Sequence, residues 1–224
     1  LLNFEEKISN VGIKFIFSYN DEVSLIKNNI KKNKISEICW NKIHSPTEEK
    51  IENRIIKILE KNKIKYNIFG SNLLQNPSAC RKKDNTPFQV FTPFWRNAER
   101  IFLDKYEYKK YPIQKSQPLK NQNSKEIKKI LPNKNWYFKF EKYWKPGEEQ
   151  ALIKIDNFTT KNINSYDTLR DIPAINGTSK LSPHLAFGEI SPKNIYNKCI
   201  NIKNKKIGVT KFVNEIGWRE FAYH

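Results

Sequence analysis

The sequence contains no methionine, not even at position 1, and only three cysteines, three histidines and six arginines. Cys39, Cys80 and Cys199 are scattered and show no CxxC spacing. That excludes a disulfide scaffold and a zinc-finger-type site, so no metal is expected, and it fits a reducing cytoplasm. No apolar run approaches membrane-spanning length and no signal peptide is visible, which speaks against a membrane partner. The chain opens in what reads as the end of a helix, LLNFEEKISNVG, and stops at His224, a few residues after a strongly patterned one. It reads as an internal fragment of a longer protein, and as a monomer.

What is present points to a packed protein. A length of 224 residues allows one large domain or two small ones, and 38% apolar with 13% aromatic residues argues against disorder. The net charge of +18 suggests a polyanionic partner such as nucleic acid. Lysine, asparagine and isoleucine are all abundant, however. Such a bias can come from base composition alone, with many lysines on ordinary solvated faces.

Along the first third, helical and extended patterns alternate. GIKFIFS (Gly12–Ser18) reads as a buried strand, and DEVSLIKNNIKKN as a helix capped by Asp21. SEICWN (Ser36–Asn41) is the next strand. The helix after it has Ser45 as N-cap, Pro46 at its first position and acidic residues in its first turn, where the helix dipole favours them. IKYNIFG (Ile64–Gly70) is a third strand. This order implies parallel strands joined by right-handed crossovers, hence an α/β layer. Residues 71–84 read as a loop, and TPFQVFTPFWRNAERIF as a short extended piece entering an aromatic-rich helix. From Leu103 to about Lys134 the text is rich in Lys, Asn, Gln and Pro and reads as a long surface linker. YWKPGEEQALIKIDNFT opens a helical pattern, and everything after it reads as helices joined by short turns. The fold class is therefore an incomplete α/β part followed by an incomplete all-α part.

Two late stretches carry chemistry. In NGTSKLSPHLAFGEISP, Ser182-Pro183 and Ser191-Pro192 each read as an N-cap followed by proline, with Gly188 closing the first helix. Ahead of them, GTSK sets a flexible glycine, two hydroxyls and backbone N–H groups beside a helix start, an arrangement able to hold a phosphate. A well-capped helix pair is the plainer reading of the same letters. FVNEIGWREFAYH reads as one helix in which Glu215, Trp218, Arg219 and Ala222 share a face while Phe212, Val213, Ile216 and Gly217 cover another. A surface ion pair beside an aromatic would give the same pattern.

Together the stretches are more specific. RDIPAINGTSKLSPHLAFGEISP resembles the flavin-domain signature of the DNA photolyase and cryptochrome family, and NEIGWREF resembles its substrate-pocket helix. VFTPF and YWKPGEEQAL resemble the inter-domain segment and the entry to the helical domain, and the α/β units resemble its antenna domain. The resemblance divides the chain into residues 1–92, a partial antenna domain; 93–140, an inter-domain linker; and 141–224, the first part of a helical flavin domain. Lys180 departs from the family, which usually has arginine there; the charge is kept and the fork of donors is lost.

The resemblance implies flavin adenine dinucleotide (FAD) as cofactor, with Tyr166, Thr178, Ser179, Lys180, Leu181, Ser182 and Phe212 at positions that contact it. Phe212 stands where the family often carries tryptophan. It implies Glu215 and Trp218 as the catalytic pair: a partly desolvated acid that donates to a pyrimidine carbonyl, and a ring that stacks on the flipped-out dimer. It implies Arg170 at the DNA backbone and a DNA-facing stretch made of Glu215, Ile216, Gly217, Trp218, Arg219, Glu220, Phe221 and Ala222. Arg170-Asp171 read locally is also a plain ion pair. The implied activity is that of a class I cyclobutane-dimer photolyase acting on UV-damaged DNA in the cytoplasm, with a sensory cryptochrome as the alternative. A second, antenna chromophore stays open among methenyltetrahydrofolate, a deazaflavin or none, because NKIHSPTEE has no clear match to the folate-contact pattern.

Overall fold

A computed structural model gives the fold, and it describes all residues except 20, 71, 106–115, 121, 122 and 133. In chain order the helices and strands are α1 (Leu2–Ser9), α2 (Glu22–Lys32), β1 (Glu37–Asn41), α3 (Pro46–Lys61), β2 (Lys65–Phe69), α4 (Phe91–Lys105), α5 (Ser124–Lys128), α6 (Phe138–Glu141), α7 (Glu148–Lys161), α8 (Tyr166–Leu169), α9 (Ser182–Ala186), α10 (Pro192–Ile200) and α11 (Ile207–Phe221). They sort into two compact units, Leu1–Ile35 with Tyr108–Gly147, and Ser36–Glu107 with Glu148–His224. Much of the expected 103–134 linker falls on residues outside the described set; α5 lies within it. Among the described residues no helix is long and apolar enough to cross a membrane, and no cluster of His, Cys, Asp and Glu is built to hold a metal ion.

In the first unit, Asp21 caps α2 as its sequence predicts, accepting from the Ser24 N–H at 3.0 Å. The strand expected at Gly12–Ser18 does not form. Residues 13–18 are irregular; Ile13 N donates to Ile8 O at 2.9 Å, and Phe15 and Phe17 are met by one side chain instead of a neighbouring strand. Asn123 accepts from Phe17 N at 3.2 Å and donates to Phe15 O at 2.8 Å. The buried carboxylate of Glu5 fixes that amide, accepting from Asn123 N at 2.8 Å and Nδ2 at 2.9 Å. An apolar run makes a strand only when a ladder partner lies beside it, and among the described residues none does.

The second unit holds the sheet and the helical core. β1 and β2 pair in parallel, with Glu37 opposite Lys65 and Asn41 opposite Phe69, as the strand–helix–strand order requires. Their period-2 pattern half-buries Ile38, Trp40, Tyr66 and Ile68 on one face and leaves the alternate residues exposed. The Trp40 and Tyr66 rings stack at 5.7 Å. Helix α3, capped by Ser45 with Pro46 behind it, is anchored beside β1 by Glu52, which accepts from Trp40 Nε1 at 2.9 Å and Lys42 Nζ at 2.5 Å.

The helical core forms around α11. Phe94, Trp95, Ala98 and Phe102 give α4 a continuous buried stripe at helical spacing, which joins one apolar cluster with buried residues of α7, α10 and α11. Gly217 is small for a reason. A Cβ there would sit 2.5 Å from the Trp95 ring, so its absence lets α11 lie directly on α4.

Candidate functional site

Helix α11 carries the side chains singled out at the sequence level and sorts them by burial. Phe212, Val213, Ile216, Gly217 and Glu220 turn inward, while Trp218 is 49% exposed and Glu215 partly exposed. Ala222 is exposed and Phe221 half-buried. Glu215 and Trp218 thus share an outward face, as their i, i+3 spacing predicts. Arg219 leaves that grouping: its Nη2 donates to Asn72 Oδ1 at 2.7 Å and its Nη1 lies 3.3 Å from Glu220 Oε1. Glu220, 5% exposed, accepts from the Leu74 N–H at 2.8 Å. Burial pushes the Glu220 carboxyl up to about 7. Within the DNA-facing stretch read from the sequence, Ile216, Gly217 and Glu220 therefore act as the seat of the helix, and the outward positions are those left to meet a partner.

Arg170, at the end of α8, reaches Glu215 on α11 and forms an ion pair with its Oε1, while its Nε lies 3.5 Å from Asp171 Oδ1. Its guanidinium also lies over the Tyr166 ring, 5.3 Å from the centroid. The hydrogen bond to Glu215 raises the Arg170 pKa further, so the guanidinium is charged throughout the physiological range. The local pair with Asp171 exists, but the longer-range pair with Glu215 is the better bonded. Glu215 was expected as a desolvated acid ready to donate. Here its Oε1 accepts from a guanidinium and its side chain is 37% exposed.

The GTSK loop and the start of α9 bound a cleft of about 430 Å³. Its wall includes all seven positions that the resemblance assigned to the cofactor, from Tyr166 through Thr178, Ser179, Lys180, Leu181 and Ser182 to Phe212, together with Glu215. Phe212 packs against Phe158 at 4.6 Å and Tyr166 at 5.2 Å, so one side of the cleft is aromatic. Burial raises the Tyr166 hydroxyl's pKa and keeps it neutral. The lining also includes the polar residues Thr178, Ser179, Lys180 and Ser182. Among the described residues no carbonyl or side chain accepts from the backbone N–H groups of Thr178, Ser179 or Lys180, which leaves them for an incoming acceptor.

Local geometry revises two expectations. Ser182 does not cap α9: the N-cap is Leu181, without a side-chain bond, and Ser182 is the first helical residue. Leu181 is 1% exposed and Lys180 adopts φ +51, so a buried leucine and a sharp left-handed turn start the helix one residue early and free the Ser182 hydroxyl. Gly177 provides room rather than flexibility, since a Cβ would meet Leu169 O at 2.5 Å. The second helix starts as expected, with Ser191 accepting from Lys193 N at 3.2 Å ahead of Pro192.

A ring neighbour of Trp218 also escaped sequence reading. Phe91 of α4 stacks on Trp218 with centroids 3.9 Å apart and planes 8° from parallel. Its signal was present in VFTPF, an aromatic cluster at a helix start, but the partner lies 127 residues away in sequence and no periodicity links them.

The family model for DNA photolyase matches residues 1–117. A deoxyribodipyrimidine photo-lyase of Agrobacterium fabrum is 30% identical over 229 residues, covering all of this chain and 48% of its own length. One from Alkalihalophilus pseudofirmus is 30% identical over 73% of the chain and 34% of that protein. Among solved structures, a bacterial class III photolyase from Agrobacterium tumefaciens aligns with a TM-score of 0.84 at 28% identity, over 100% of this chain and 47% of that one. A Synechocystis cryptochrome aligns with a TM-score of 0.68 at 20% identity, covering 90% of this chain and 43% of that one, a likeness of fold. The chain spans about half the length of the curated relatives it matches.

Proposed function

The chain belongs to the DNA photolyase family, and on that premise we propose that the protein is a deoxyribodipyrimidine photo-lyase that uses FAD to reverse cyclobutane dimers in UV-damaged DNA. The observation that carries this reading is the cleft. Its lining combines the hydroxyls and backbone N–H groups of the GTSK loop with the rings of Tyr166 and Phe212 and with Glu215, which lies one turn from an exposed tryptophan. The donor set fits a dinucleotide. The N–H groups of Thr178, Ser179 and Lys180 with the Lys180 ammonium suit a diphosphate, and the hydroxyls of Thr178, Ser179 and Ser182 suit polyol oxygens. Tyr166 and Phe212 supply an apolar wall that excludes water.

A reduced flavin held by Tyr166, Thr178, Ser179, Lys180, Leu181, Ser182 and Phe212 would supply the photochemistry, lending one electron to the dimer and regaining it once the ring has opened. The chain's own residues hold the lesion. Photolyases are a known example of enzymes that extrude the damaged bases from the duplex. The outward face of Trp218 is the platform on which the extruded pair stacks. Glu215 is placed to hydrogen-bond a pyrimidine carbonyl, but as an ion-paired carboxylate it can only accept. Release of Arg170 to a DNA phosphate would free the Glu215 side chain to face the lesion. Arg170 would thereby be the ion-pair partner of Glu215 in the free protein, beside the local pair with Asp171 read from the sequence, and a backbone contact in the complex.

Two features point to different branches of the family: the Ser-Pro signature resembles class I enzymes, and the A. tumefaciens structure is described as class III. Both are photolyases, and repair is the function read here. The test is the full-length protein purified, assayed for bound flavin, and illuminated with DNA carrying thymine dimers. Dimer loss in light and none in darkness supports the proposal. Bound flavin with a light response and intact dimers turns the reading to a sensor; absence of flavin removes it.

A further inference from the structure

Trp218 leaves half of its surface in solvent, yet its ring is not loose. Phe91 lies parallel beneath it at 3.9 Å, and Phe221 meets the indole edge-on at 5.8 Å and Phe91 at 6.1 Å. Phe91 and Trp95 are one turn apart on α4, and their rings are 9° from parallel. Trp95 is 6% exposed and lies under Gly217, so the close approach of α11 at that glycine fixes the height at which Trp218 sits above Phe91. One helix thus presents two parallel rings, one seating the backbone of α11 and the next seating its exposed indole. An indole that only filled the core would be turned inward, as Trp95 is. This one is covered on one face and open on the other, with its plane set by a second ring.

We propose that Phe91 is a positioning residue for lesion recognition: it holds the Trp218 indole in the one plane that presents a flat, open face to an extruded pyrimidine dimer. This inference rests on the reading of Trp218 as the stacking platform. An exposed tryptophan without such backing would rotate among rotamers and lose side-chain entropy on binding, so the stacked ring lowers the ordering cost of recognition. Phe91 acts through Trp218 and touches no substrate.

The experiment uses full-length protein and a short duplex carrying one thymine cyclobutane dimer, with the same duplex undamaged as reference. Phe91→Leu should weaken dimer binding roughly 3- to 10-fold, the scale of one aromatic pair, and leave undamaged DNA unaffected. Phe91→Tyr, which keeps the ring, should stay within about twofold of wild type. In a Trp218→Ala background, Phe91→Leu should have no further effect on dimer affinity, an outcome that a general loss of packing would not give. Should Phe91→Leu fail to fold, Phe91→Met fills the volume without a ring and takes its place. If Trp218→Ala lowers dimer affinity while the Phe91 variants bind as wild type, or if Tyr and Leu weaken binding equally, the positioning role is overturned and the platform reading stands. If Trp218→Ala itself leaves dimer affinity unchanged, the platform reading has failed first.

Discussion

Arg170 and Glu215, 45 residues apart, are joined by an ion pair that links α8 to the outward face of α11. Both side chains are about one-third exposed, so the pair contributes little to folding, on the order of 1 kcal/mol or less. On the proposed reading its weight is functional. A partly exposed cation held by a carboxylate of the cleft lining can exchange that partner for a phosphate without either charge being buried alone. Arg170→Ala should lower affinity for damaged and undamaged DNA alike and flatten the salt dependence by roughly one phosphate contact, while the melting temperature moves by no more than a few degrees. Arg170→Lys should restore the charge but not the affinity, because an ammonium lacks the fork of donors. DNA titrations at several salt concentrations decide it; an unchanged slope for Arg170→Ala would confine the residue to its ion pair.

Glu220 makes stability depend on pH in a predictable direction. Its carboxyl titrates near 4.5 when unfolded and at about 7 when buried, because burial disfavours the charged form. Between those values the folded state binds more protons than the unfolded state, so stability falls as pH rises. The contribution is fully present below about 4.5 and is lost by the time pH has risen through 7, for a total on the order of 3 kcal/mol. His224 works the other way: burial lowers its pKa, so the stability it contributes is lost as pH falls below 6.5. Comparing wild type with Glu220→Gln cancels the histidine, since both proteins carry it. Between pH 5 and pH 8 the urea midpoint of wild type should fall relative to that of Glu220→Gln. Equal pH profiles would show that Glu220 stays ionised in the fold.

Gly217→Ala tests how tightly α11 lies on α4. Alanine is the better helix former by about 1 kcal/mol, which favours the substitution. Against that, its methyl would meet a 6%-exposed indole at 2.5 Å, and forcing extra volume into a packed core costs about 1–3 kcal/mol. The clash should win, for a net loss of up to ~2 kcal/mol, and thermal melting reads it directly. An increase in melting temperature would mean that Trp95 can yield.

Much of this was legible in the sequence where the signal is local. Asp21, Ser45-Pro46 and Ser191-Pro192 announce their helices, and each is found capping as read. The apolar runs at Ser36–Asn41 and Ile64–Gly70 form paired strands. The run at Gly12–Ser18 has the same local character and forms none, because a strand is a property of two segments and the second was invisible. Ser182 looks like Ser191 in sequence, yet a buried leucine and a left-handed turn before it move the helix start. The cleft residues were legible only as a group, through their order along the chain. The partners at the site were not: Arg170 with Glu215, Phe91 with Trp218 and Asn72 with Arg219 meet only after the helices pack, and neither helical periodicity nor cap chemistry encodes contacts at that separation.

Glu215 and Trp218 share a face and should nevertheless fail differently. Trp218→Ala removes a stacking platform worth about 1–3 kcal/mol per base, so affinity for dimer-containing DNA should fall roughly 5- to 150-fold. Glu215→Ala removes a hydrogen bond whose exchange with water nets only about 1 kcal/mol, so lesion affinity should fall less. The same substitution also strips Arg170 of its bonded partner, leaving the guanidinium for phosphates. Affinity for undamaged DNA should therefore hold or rise slightly, which narrows discrimination from the opposite side. Its main effect should be on repair yield per absorbed photon, because a donor to the pyrimidine carbonyl stabilises charge that exists only after electron transfer. Measuring lesion affinity, undamaged affinity and quantum yield together in the full-length protein separates the two roles. If Glu215→Ala left the yield intact while Trp218→Ala left lesion affinity intact, the outward face of α11 would not be the substrate face, and the paired roles assigned to it would have to be withdrawn.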